Sequence, residues 1–180
     1  PPFMESGPID LLTPYAAGKY AAEGYCQAFR DVPVAIVRLT NVYGPFQYPQ
    51  NPYCGVIARF MQQAARQIPL TIYGSGEQTR DFTYVEDVVD ALLLAQEKGI
   101  GQIINIGTGV ETSIFQLART VGRLLGFQEM TFGASRDIDL ILRRRLDCSR
   151  AKEVLGWQAK TDLATGLQLT QEWVKNPNLN

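Results

Sequence analysis

The stretch Val34-Ala35-Ile36-Val37-Arg38-Leu39-Thr40-Asn41-Val42-Tyr43-Gly44-Pro45 decides how the rest of the chain reads. Its first half is an almost continuous apolar run rich in β-branched residues. Such a run predicts a strand covered on both faces, the habit of parallel sheets. After Thr40 the composition turns to Asn, Gly and Pro, which predicts a loop from Asn41 to about Cys54. Residues 102–106 repeat the buried-strand pattern, and shorter strands are expected at 70–73, 82–85 and 130–132. Helices are expected at 15–29, 56–65, 85–96, behind Ser113, at 149–155 and at 163–174. Thr13-Pro14 suits a helix start, since Thr accepts from the first free amides and Pro fits the first helical position. Ser113 with Gln116 forms a capping-box pattern ahead of the stripe Ile114, Leu117, Val121 and Leu124. Val88, Val89, Leu92 and Leu93 are the expected buried face of the 85–96 helix. Strands alternating with helices give an α/β fold class with parallel strands.

Composition narrows the chemistry. A chain of 180 residues with 46% hydrophobic and 19% charged residues is sized for one domain with a real core. A net charge of −1 argues against nucleic acid or an anionic membrane as partner. No apolar run approaches the ~20 residues that span a bilayer. Cys26, Cys54 and Cys148 are scattered without metal-ligand spacing, the pattern of reduced thiols in a cytoplasmic protein. The chain has no histidine, which removes Ser-His-Asp and Cys-His chemistry and the commonest metal ligand. No metal site is expected, and proton transfer falls to a carboxylate, a Lys or a Tyr. Pro1-Pro2-Phe3-Met4 has neither an initiator Met nor a signal-peptide pattern, so a processed or truncated chain is expected.

Tyr15-Ala16-Ala17-Gly18-Lys19 places a phenol and an ammonium four residues apart, on one face of the first helix. A phenol of ordinary pKa, ~10, is a poor base near neutrality. A neighbouring ammonium favours the phenolate and makes a base of it. The same spacing also describes an ordinary solvated helix face, so further blocks must decide.

Those blocks follow in order: Arg38-Leu39-Thr40-Asn41-Val42-Tyr43-Gly44-Pro45, then Ile72-Tyr73-Gly74-Ser75-Gly76-Glu77-Gln78-Thr79-Arg80-Asp81-Phe82, Tyr84-Val85-Glu86-Asp87-Val88, Asn105-Ile106-Gly107-Thr108-Gly109 and Leu155-Gly156-Trp157. The set resembles the extended short-chain dehydrogenase/reductase family, in particular its UDP-glucose 4-epimerase-like members, over essentially the whole chain. The resemblance implies the C-terminal portion of a Rossmann-like parallel sheet plus a small mixed α/β substrate-binding region. Residues 1–42 and 85–110 would supply sheet elements, and 43–84 and 111–180 mainly the substrate side. It further implies Tyr15 as catalytic base and Lys19 as the partner that tunes it and holds the nicotinamide ribose of NAD or NADP. Thr40 would lie at the nicotinamide end of the cofactor. Asn41 would contact the nucleotide-diphosphate sugar, with Val56 and Tyr73 at its base and Arg80 at its diphosphate, where a guanidinium forks well. Arg136 and Asp139 resemble a late Arg-x-x-acid segment that meets diphosphate and ribose, although Ile138 stands where the family has Gly.

Other signals have plainer readings. Gly107-Thr108-Gly109 sits between strand and helix as phosphate loops do, but lacks the third glycine and the basic residue, so a tight turn is expected. Arg143-Arg144-Arg145 reads as a solvated edge in preference to a phosphate site. Phe46, Tyr48 and Tyr53 form either a sugar platform or loop packing.

The family's glycine-rich turn, which seats the cofactor pyrophosphate, has no counterpart in the fourteen residues ahead of Tyr15. The family's catalytic Ser or Thr would also fall upstream. This chain alone is therefore expected to lack turnover and to expose apolar surface, favouring self-association or a separate N-terminal half. Two further readings remain open: a non-catalytic nucleotide-diphosphate-binding module, and a complementing half.

Overall fold

A computed structural model describes residues 2–51, 54–136 and 141–175. Helix α1, Pro14–Ala28, begins as the Thr13-Pro14 signal predicts, with the Thr13 hydroxyl accepting from the Ala16 amide at 3.1 Å. Strand β1 covers Ile36–Leu39, β2 Asn41–Tyr43, and α2 Val56–Ala65. Then come β3 at Leu70–Tyr73, β4 at Thr79–Arg80, β5 at Phe82–Tyr84 and α3 at Val85–Lys98. Strand β6 is Ile103–Ile106, β7 Thr112–Ser113, α4 Ile114–Leu125 and β8 Met130–Gly133. A single wide helical turn at Ala151–Leu155 precedes α5 at Leu163–Lys175.

Three strand pairs are parallel: β1 with β6, β2 with β5, and β3 with β8. Each joins strands far apart in sequence with a helix between them, the crossover logic of an α/β fold. The short antiparallel pair β4–β7 sets Arg80 opposite Thr112. Residues 41–43 are thus a strand where a loop was expected. Thr40 is the joint: its amide still pairs with the Ile106 carbonyl, while the Asn41 amide has switched to the carbonyl of Asp81. Val42 and Tyr43 supply the β-branched and aromatic character that suits the second ladder.

Two hydrophobic clusters form. One gathers Phe60 and Met61 of α2, Leu70 and Ile72 of β3, Leu117 and Val121 of α4 and Leu167 of α5. The capping box of α4 is present in full: the Gln116 amide donates to the Ser113 hydroxyl, and the Ser113 amide donates to the Gln116 side chain. The other cluster packs Val88, Ala91 and Ala95 of α3 on Ile104 and Ile106 of β6, with Leu155 and Trp157 behind. The buried face of α3 therefore differs from the expected one, since Val89, Leu92 and Leu93 are exposed. The small side chains of Ala91 and Ala95, on one helical stripe with Val88, let α3 sit close on the strands. No residue of α1 is buried, and Leu39 at the end of β1 is exposed, so the expected two-sided cover of that strand is incomplete. All three cysteines are free thiols. Among the described residues no helix is long and apolar enough to cross a membrane.

Tyr43 shows how tightly α5 closes the first cluster. Its buried phenol lies against Gly166, where a Cβ would overlap the ring and hydroxyl. Burial pushes that phenol's pKa up, with Asp162 and Asp87 adding to it. Gly166→Val forces these groups apart and is expected to lower stability by about 3 kcal/mol, the cost of overpacking a rigid core, as read from urea denaturation.

Candidate functional site

The residues singled out in the sequence fall on three parts of the fold. The first is α1. Its Lys19 ammonium stands 5.6 Å from the centroid of the Tyr15 ring, so the two share a face as their spacing requires. Tyr15 is 74% exposed, which leaves its hydroxyl open to an incoming group.

The second part is the β1–β2 joint. The Thr40 hydroxyl shares a 2.6 Å hydrogen bond with the Thr83 hydroxyl. Asn41 opens β2 in register with Phe82. Beneath both lies Asp81, wholly buried. One carboxylate oxygen of Asp81 accepts from the Thr108 amide at 3.0 Å and the Thr108 hydroxyl at 2.6 Å. The other accepts from the Gly109 amide at 2.9 Å. The donors of the Gly107-Thr108-Gly109 turn are thereby directed at a protein carboxylate, and the turn is the tight structural one expected. Gly107 allows this approach: a Cβ there would lie 2.6 Å from a Thr40 methyl and 2.8 Å from an Asp81 oxygen.

The third part is the far end of β3 and β8. Tyr73 pairs with Gly133, and the chain beyond β8 brings the Arg136 guanidinium to 4.7 Å from the centroid of the Tyr73 ring. That is cation–π range, and it joins a residue expected at the base with one expected at the diphosphate. Val56 is the first residue of α2, after Gly55, which makes no side-chain cap bond. Arg80 is part-buried and uses Nη1 to donate to the carbonyls of Thr79 and Ile141, tying β4 to the segment at 141. Asp139 lies outside the described residues.

Two of the remaining expectations resolve as structure. Arg143 forks onto Glu111, with Nε at 3.0 Å from the carboxylate, and this hydrogen bond holds the Glu111 carboxyl below its ordinary range. Phe46 and Tyr48 both pack on Trp173, with ring centroids 5.5 and 5.6 Å away. These two take part in loop packing while remaining exposed, and Tyr53 lies outside the described residues.

Sequence reasoning gave no role to three side chains that hold the site together: Asp81, Arg38 and Glu23. Asp81 had a signal, a carboxylate wedged between Arg80 and Phe82 just before a buried strand. Arg38 had one too, as the sole charge in an apolar run. Its guanidinium grips Glu23 of α1, with Nε to Oε1 at 2.9 Å and Nη2 to Oε2 at 2.7 Å. That hydrogen bond raises the Arg38 pKa against the opposing effect of burial.

Comparison with known proteins gives the arrangement a context. The family model described as "NAD dependent epimerase/dehydratase family" matches residues 2–107. A UDP-glucose 4-epimerase of Mycolicibacterium smegmatis is 41% identical over 180 residues, covering 97% of this chain and 57% of that protein. A dTDP-D-glucose 4,6-dehydratase of Homo sapiens is 36% identical over 183 residues, covering 96% of this chain and 51% of that protein. The crystal structure of a Thermotoga maritima UDP-glucose 4-epimerase with UDP-glucose superposes with a TM-score of 0.92 at 37% identity, over 97% of this chain and 57% of its own. The chain thus spans little more than half the length of these relatives.

The Asp81 hub yields a direct test. Asp81→Asn turns an acceptor into a donor opposite an amide and leaves a buried N–H unpaired. It is expected to cost about 2–4 kcal/mol, measured by urea denaturation, with the amides of Thr108 and Gly109 losing hydrogen-exchange protection.

Proposed function

The chain belongs to the NAD dependent epimerase/dehydratase family, and on that premise we propose that it forms the sugar-nucleotide-binding part of an NAD(P)-dependent nucleotide-sugar epimerase or dehydratase, a cytoplasmic enzyme that oxidises its substrate at sugar C4. The observation that carries the reading is the solvent-open Tyr15–Lys19 pair, on a helix bound to the strand that runs into Thr40 and Asn41.

In this reading Lys19 stabilises Tyr15 as a phenolate, and that phenolate takes the proton of the sugar hydroxyl and becomes a neutral phenol. Asn41 and Val56 receive the sugar nucleotide. Tyr73 offers a flat face to the base, and Arg136, already lying on that ring, turns its guanidinium to the diphosphate. Arg80 supports the same anion from β4, and Asp139 takes a ribose hydroxyl. Residues 1–42 and 85–110 act as the sheet side of the site, and 43–84 and 111–180 mainly as the substrate side.

The nicotinamide end of NAD fits what this chain offers: an exposed phenol and ammonium on one helix face, with the end of β1 nearby in sequence to Arg38. Lys19 would hold its ribose, and Thr40 would border the ring. When bound, the cofactor supplies the hydride acceptor for C4. Its pyrophosphate finds no such seat at Gly107-Thr108-Gly109, because those amides already serve Asp81. The reading therefore assigns pyrophosphate binding to a glycine-rich segment beyond this chain. Tyr15, Tyr25 and Phe29 around α1, with Val89 and Leu93 of α3, leave apolar surface exposed. That surface supports a partner, either a second copy or a separate dinucleotide-binding half.

Calorimetry with UDP and UDP-glucose tests the substrate side. Binding is expected for both, with Arg136→Ala weakening it about tenfold through loss of one charge-assisted contact. Turnover of UDP-glucose with NAD, in the presence of a glycine-rich βαβ segment, is expected to fall by at least about 100-fold in Tyr15→Phe while binding is retained. Binding without turnover in any combination would favour a non-catalytic nucleotide-diphosphate module, and absence of binding would sink both readings.

A further inference from the structure

Tyr15, Lys19 and Glu23 recur at intervals of four along α1, so one face carries all three. The first two are the acid–base pair proposed above. The third is bound to Arg38 by the fork already described, and Arg38 Nη1 also donates to the Glu5 carbonyl at 3.1 Å. The pair is largely covered, with side-chain exposures of 21% for Arg38 and 17% for Glu23. No residue of α1 is buried. Among the described residues, Arg38 supplies the only side-chain hydrogen bond or ion pair that joins α1 to another secondary-structure element. Arg38 is also two residues ahead of Thr40 and three ahead of Asn41.

We infer that Arg38 and Glu23 are positioning residues: their fork sets the rotation and height of α1 against β1, and so fixes Tyr15 and Lys19 relative to Thr40 and Asn41. The inference rests on the oxidoreductase reading for its catalytic consequence, but not for the tether itself. Geometry explains why Arg and not Lys serves here. A planar guanidinium meets a carboxylate at two points and resists rolling about the helix axis, whereas an ammonium meets it at one and leaves that rotation free. Removing one partner leaves the other charge covered and unmatched, which drives the helix off the strand. A helix of 15 residues without a docking face is near the limit of independent stability, so undocking melts it.

Two measurements test this. In hydrogen exchange on this chain, Arg38→Gln is expected to speed exchange of the α1 amides by about tenfold or more, with β6 and α4 unchanged. Undiminished protection of α1 would overturn the tether. In the turnover assay with the βαβ segment present, Arg38→Gln and Glu23→Gln are each expected to lower kcat by about 100-fold, the effect of a misplacement near 1 Å. KM for UDP-glucose should move by less than about threefold. Arg38→Lys should fall between, and the exchanged pair Glu23→Arg with Arg38→Glu should recover most of the loss. A kcat unchanged in variants whose α1 has loosened would overturn the positioning role. If the unaltered chain neither binds UDP-glucose nor turns it over, the oxidoreductase reading fails and the catalytic role falls with it, while the exchange result still decides the tether.

Discussion

A single buried carboxylate organises the centre of this molecule. Asp81 accepts three hydrogen bonds from Thr108 and Gly109, and its carbonyl accepts the Asn41 amide. It thus connects the β4–β5 joint, the turn after β6 and the start of β2. A buried polar group without solvent contact is tolerated only where partners converge on it. The donors here are two turn amides and the Thr108 hydroxyl, groups of the kind that bind phosphate in other turns. One side chain therefore both closes the turn and denies it to an anion. Gly107 is the steric counterpart, because a Cβ there would strike Thr40 and Asp81 together.

Local signals in the sequence were reliable where the cause was local. Thr13-Pro14 and Ser113 with Gln116 began helices as their hydrogen-bonding chemistry dictates. The parallel pairing of β1 with β6 joins the two largely apolar runs that read as buried strands. Legibility ended where the cause was long-range. The strand at 41–43 depends on Asp81, forty residues away, to receive the Asn41 amide. The stripe that α3 buries was set by Ala91 and Ala95, whose small size matters only against a particular partner. Within the site, Tyr15, Lys19 and Tyr73 lie in the quoted blocks, and Arg136 in the late Arg-x-x-acid segment. The Tyr73–Arg136 pairing spans a strand ladder and has no signature in spacing. Asp81, Arg38 and Glu23 escaped notice because they meet other protein groups, and motif reading looks for groups aimed at a ligand.

The distribution of packing separates two halves of the site. Tyr73 and Arg136 belong to the side held by the cluster of α2, β3, α4 and α5. Tyr15 and Lys19 belong to a helix with no buried residue. The Tyr73–Arg136 side is thus anchored by packing, while the Tyr15–Lys19 side depends on polar ties. Hydrophobic burial is non-directional, whereas a bidentate ion pair specifies an orientation. Where a helix has little surface to bury, orientation has to come from the second kind of force.

On the proposed function, that division bears on how the Tyr15–Lys19 pair is kept in place. The Tyr15–Lys19 relation is intrahelical and survives any rigid movement of α1. What rigid movement destroys is the relation of that pair to Thr40 and Asn41, and a proton transfer fails when its donor is misplaced by a fraction of a hydrogen-bond length. Placing the tether four residues beyond Lys19 on the same face puts the constraint along the line that matters. A contact on the opposite face would oppose lifting of the helix but permit it to roll. The position of Glu23 relative to Tyr15 therefore carries as much information as its charge, and the strand-side partner sits where β1 hands over to Thr40 and Asn41.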